Sequence, residues 1–86
     1  MELIVKIDLK RAKDPAAHVS RLLDVVAPSA STEEVFPGLR SGASAGLVTV
    51  RLPCARGSKA HRASVKALRE DTAVAYVEEP KPRRAL

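Results

Sequence analysis

From Glu2 to Leu9 the chain alternates, with Leu3, Val5, Ile7 and Leu9 on one side and Glu2, Ile4, Lys6 and Asp8 on the other. A period of two predicts a half-buried strand. Lys10 to Lys13 is a polar connection, and Asp14-Pro15 supplies an N-cap followed by proline at the first helical position, where its missing N–H costs nothing. Val19, Leu22, Leu23 and Val26 then fall at the i, i+3, i+4, i+7 spacing of one helical stripe, and Pro28 predicts an end near Ala27. Ser31 to Phe36 reads as a short second strand stopped by Pro37-Gly38. The Ser, Gly and Ala content of Leu39 to Ala45 predicts a flexible connection. Gly46 to Leu52 alternates again, with Val48, Val50 and Leu52 on one face, and Pro53 closes it. Ser58 is a good N-cap for a second helix through Glu70, whose buried line is His61, Ser64 (or Ala60), Val65 and Leu68. Thr72 marks a turn, and Ala73 to Glu79 is the last strand. Pro80 and Pro82 each remove a backbone donor and hold their predecessors extended, so Lys81 to Leu86 is expected to leave the sheet as an extended tail.

The resulting order, β-α-β-β-α-β, predicts an α+β, ferredoxin-like fold: an antiparallel sheet with two helices on one face and the other face open. One domain over residues 1–79 and a tail over 80–86 account for the whole chain. Eighty-six residues bury only about 60% of the surface of the unfolded chain. The apolar share of 45% is carried by Ala, Val and Leu, with Phe36 and Tyr76 as the aromatics. Such a core has little volume per residue, so stability is expected to be modest and to rise with a partner that binds the folded state.

Composition removes several classes of function. Cys54 is single, which excludes an internal disulfide and CxxC chemistry, and no metal or other cofactor is expected. No Ser, His and Asp cluster in sequence, and no glycine-rich phosphate loop follows the first strand, so the chain is not read as an enzyme. There is no apolar run of membrane length. Met1 to Lys6 reads as strand rather than leader, so the segment as given is expected to be cytoplasmic, or secreted if it belongs to a longer exported precursor. The net charge of +5 suggests a basic nucleic-acid-binding module as the alternative reading. Its distribution argues against one: Lys59, Arg62, Lys66 and Arg69 are spread along one helix, Lys81, Arg83 and Arg84 sit in the tail, and Tyr76 is the one candidate for base stacking.

Two segments carry a resemblance. Ser64-Val65-Lys66-Ala67-Leu68, followed by Val74-Ala75-Tyr76-Val77-Glu78-Glu79, resembles the end of a subtilisin propeptide, the inhibitor and intramolecular chaperone of subtilisin-like serine proteases. The family's pattern there is a helix carrying Ala-Val-Lys-x-Leu, a short turn, then Val-Ala-Tyr-Val-Glu-x-Asp. The likeness is dense over residues 63–79 and topological before that. The spacing from the Glu-Glu pair to Leu86 also matches that from the family's acidic motif to its cleavage point.

The resemblance implies a partner, a subtilisin-like serine protease met in cis as a prosegment or in trans, and two contact regions. The open sheet face would dock on two surface helices of the protease. By strand parity Val74, Tyr76 and Glu78 are expected on that face, opposite Ala73, Ala75 and Val77. Ile4 would join Tyr76 in an apolar patch, and Glu78 would accept hydrogen bonds from unpaired N–H groups at a protease helix N-terminus. The tail, Arg83-Arg84-Ala85-Leu86, would lie in the substrate cleft as an added strand, with Leu86 in the pocket before the scissile bond and Arg83 at an outer pocket. One departure stands out: Pro80 occupies a position where the family often carries a second acidic residue.

Overall fold

The computed structural model describes residues 1–79. Its elements are β1 (Glu2–Ile7), α1 (Pro15–Leu23), β2 (Ser31–Glu34), β3 (Leu47–Arg51), α2 (Lys59–Glu70) and β4 (Val74–Glu78). The strands form one antiparallel sheet in the order β2-β3-β1-β4, so the fold is α+β with the ferredoxin-like βαββαβ arrangement.

The alternation in the sequence explains which strands are central. Leu3, Val5 and Ile7 of β1 and Val48 and Val50 of β3 are almost wholly buried, whereas the edge strands β2 and β4 contribute little to the innermost core. Val19 and Leu23 of α1 and Val65 and Leu68 of α2 join the same cluster, which places both helices on one face of the sheet. α1 packs on β2 and β3, α2 packs on β4, and the helices touch each other. Both N-caps form as their residue types dictate: the Asp14 carboxylate accepts from Ala17 N–H and the Ser58 hydroxyl from His61 N–H, each at 3.2 Å. Ser64 is buried without penalty because its hydroxyl donates to Ala60 O at 2.8 Å.

Three boundaries fall short of the alternating and helical patterns. β1 stops at Ile7 because Asp8 O accepts from both Arg11 and Ala12 N–H, curling the chain into a turn. That turn buries Ala12 and carries Leu9 out of the sheet to a half-buried site. α1 ends at Leu23 rather than Ala27: Val26 and Ala27 N–H both bond to Leu23 O, so the last turn tightens. Val26 and Ala27 still pack on the core, while Val25 is 90% exposed. β2 ends at Glu34, and although Val35 N–H still donates to Leu47 O, Val35 and Phe36 are exposed.

His18 is half-buried and ties α1 to the end of α2. Its Nε2 lies 2.7 Å from Asp71 Oδ2, at the C-terminus of α2, and Asp71 also accepts from Ala73 N–H at 3.0 Å. The imidazole hydrogen bond is the main reason that the Asp71 carboxyl is held below its usual range; the Ala73 N–H adds to this, and partial burial opposes it. A carboxyl depressed in the folded state stabilises above its unfolded value and loses that contribution as pH falls through the folded value. The wild type should therefore exceed Asp71→Asn in stability by about 1 kcal/mol at pH 7. In urea titrations that difference should persist to about pH 5 and shrink towards zero below the ordinary aspartate range, about pH 3.9. A difference that stayed undiminished well below pH 3.9 would contradict the geometry.

Candidate functional site

The face of the sheet away from the helices is bare, and strand register arranges it in rows. Ser31, Arg51 and Glu2 form one row. Glu33, Thr49, Ile4 and Glu78 form the next, and Leu47, Lys6 and Tyr76 the third. In the first row Arg51 Nε lies 3.3 Å from Glu2 Oε2, so the cation there is paired. In the third, the Lys6 stem runs between Leu47 and Tyr76. Its ammonium turns to the carbonyls of Gly42, Ala43 and Ala45, 3.5 and 3.0 Å away for the first two. That turn withdraws the charge from the middle of the face and pins the segment before β3. What is left is an apolar centre of half-buried Ile4 and Leu47 beside a Tyr76 ring that is 42% exposed. The exposed carboxylate of Glu78 stands next to Ile4.

Ile4, Tyr76 and Glu78 thus share one face, Ile4 directly across from Glu78 and diagonal to Tyr76. The parity expected for the first half of β4 does not hold. Ile7 pairs with Val74 while Lys6 pairs with Tyr76, so Ala75 is an extra residue, a β-bulge. Val74, expected on the open face, packs on the core, and Ala75, expected inside, is exposed. The physical reason is volume: with Val74 rather than Ala75 inward, about two more methylenes are buried, worth roughly 1.5 kcal/mol. Beyond the bulge the parity is as expected, with Val77 opposite Val5 and packed on the core.

A second cluster fixes where the chain leaves β4, and sequence reasoning missed it. His61, 7% exposed, accepts from Gly57 N–H at Nδ1 (2.8 Å), which leaves its ring proton on Nε2, 2.5 Å from Glu79 Oε1. Arg56 Nη1 lies 4.0 Å from the same oxygen. Glu79 is therefore held against the start of α2 by the buried His61 ring and the exposed Arg56. The helical stripe marks His61 as buried and polar, which signals an unseen partner. Nothing in the sequence says that the partner lies eighteen positions away.

The tail residues Arg83, Arg84, Ala85 and Leu86, and Pro80, lie outside the described residues. Among the described residues no group of three or more His, Cys, Asp or Glu side chains is placed to hold a metal ion, and no helix is long and apolar enough to cross a membrane. Cys54 is half-buried against the core. Compared with protein-family models, with curated proteins and with solved structures, the chain shows no significant match.

Proposed function

We propose that this chain is a non-enzymatic inhibitor domain of the subtilisin-propeptide type, which binds a subtilisin-like serine protease through its open sheet face and assists its folding. One observation carries the reading: the Ile4, Tyr76 and Glu78 side chains are gathered on a helix-free face, an apolar centre beside an exposed carboxylate. Apolar area of this kind drives association, and a carboxylate at its border suits a helix N-terminus with orphan N–H groups. The likeness of residues 63–79 to the propeptide motif supports the same partner, in cis or in trans. The basic tail, Arg83 to Leu86, is assigned to the substrate cleft on the strength of that likeness. The nucleic-acid reading gains nothing from this face, where Tyr76 is the one ring, Lys6 is bonded to carbonyls and Arg51 is paired.

The test is titration of the full chain against a subtilisin, following hydrolysis of a peptide substrate. Inhibition is expected, and Tyr76→Ala and Glu78→Ala should each weaken it about tenfold without moving the thermal midpoint by more than a few degrees. Absence of inhibition together with salt-sensitive RNA binding would replace this reading with the nucleic-acid one.

A further inference from the structure

At the end of the sheet near the start of α1, the turn after β1 faces the segment that precedes β3. Arg40 joins the two, its Nη1 donating to Lys13 O at 2.9 Å. The cleft between them, about 480 Å³, is lined by Leu9, Lys10, Lys13 and Arg40. It is continuous through Leu9, Lys10 and Arg40 with a second depression of about 310 Å³. No carboxylate lines the first, and Asp8, the one carboxylate lining the second, is engaged: it accepts from Lys10 N–H at 3.0 Å and lies 3.8 Å from Arg11 Nε. Lys10, Lys13 and Arg40 make no ion pair among the described residues. The groove along α2, also basic, differs on this point, because Glu70 and Glu79 line it and Lys66 approaches Glu70 at 3.9 Å.

We infer that the cleft of Lys10, Lys13 and Arg40 is a binding site for a compact, multiply charged oxyanion of the phosphate or polyphosphate class. Three cations that line one cleft without an ion-pair partner repel one another, and a polyvalent anion that bridges them relieves the repulsion. Arg40 spends one donor on Lys13 O, which orients the guanidinium and leaves the rest of its fork for two oxygens of one anion. Both walls are fixed before any ligand arrives. The Asp8 turn is bonded to Arg11 and Ala12 N–H, and Lys6 ties down the carbonyls of Gly42, Ala43 and Ala45 on the other side. Such a site pays little ordering entropy on binding. It stands apart from the Ile4 and Glu78 row and is independent of the protease reading.

The experiment uses the full chain, ¹⁵N-labelled, titrated with sodium tripolyphosphate, with inorganic phosphate and with sodium chloride at matched ionic strength. Amide shifts are expected to saturate at residues 9–13 and 38–42, with tripolyphosphate binding more tightly than phosphate. At a hundredfold excess over its Kd, tripolyphosphate should raise the thermal midpoint by on the order of 10 °C. The double variant Lys13→Gln/Arg40→Gln should bind at least about tenfold more weakly, while Arg62→Gln/Lys66→Gln binds as the wild type does. If the double variant loses stability, Lys10→Gln alone, at an exposed position, should still weaken binding several-fold. Shifts centred on α2 or on residues 81–84, equal shifts in chloride, or unchanged binding by the cleft variants would overturn the inference.

Discussion

Gly46→Ala is expected to remove about half of the stability of the domain. Gly46 sits at φ +79°, where an L side chain is strained, and a Cβ built there would lie 2.3 Å from Ile7 O and 3.3 Å from Ile7 C. Those atoms belong to the backbone of a central strand. They cannot retreat, because Ile7 is buried, pairs with Val74 and donates its N–H to Gly46 O at 2.9 Å. The left-handed conformation costs about 1 kcal/mol and the backbone overlap adds several more, for a total on the order of 4 kcal/mol. A domain of this size holds on the order of 5 to 10 kcal/mol in all. Gly42→Ala is the control. Its φ of +93° is equally unfavourable, but nothing lies within 4 Å of the added carbon, so the cost should stay near 1 kcal/mol. Urea denaturation followed by circular dichroism separates the two; equal midpoints would mean that the strand does not approach Gly46 as described.

Removal of residues 83–86 is the second large effect, and it should fall on function rather than stability. Among the described residues the core cluster lies within residues 1–77, and a chain ending at Pro82 should keep the thermal midpoint of the full chain. Inhibition should fall on the order of a hundredfold or more, because an extended segment bound as an added strand contributes main-chain hydrogen bonds and buried side chains together. Arg83→Ala alone should produce a smaller loss, confined to proteases whose outer pocket accepts a cation. Measuring inhibition constants and thermal midpoints on the same preparations separates the alternatives. A shortened chain that inhibits as well as the full one would end the product-like mechanism and leave the sheet face as the whole binding surface.

Glu79 bears on both contact regions. The His61 to Glu79 contact and the nearby Arg56 fix the backbone just beyond Glu78, so that Tyr76, Glu78 and Glu79 have defined relative positions. A rigid launch point lowers the ordering cost of any segment that follows it.

Local pattern was sufficient wherever one side chain's environment follows from its neighbours in sequence. The alternation of Leu3, Val5 and Ile7, the alternation of Val48 and Val50, the Val19 and Leu23 stripe and the two N-caps, Asp14 and Ser58, led to the element order and from it to an antiparallel sheet with one open face. Placing Ile4, Tyr76 and Glu78 on that face followed from parity alone. The inward turn of Val74 did not, because it depends on a bulge whose benefit exists only when β1 and β4 are already paired. The His18 to Asp71 and His61 to Glu79 contacts, the bond from Arg40 to Lys13 O and the turning of Lys6 onto distant carbonyls were equally hidden. Each joins groups that are far apart along the chain. Hydrophobic periodicity decides which side of an element is buried, but which polar group meets which is decided by the packed fold, where a buried donor or acceptor must find its partner.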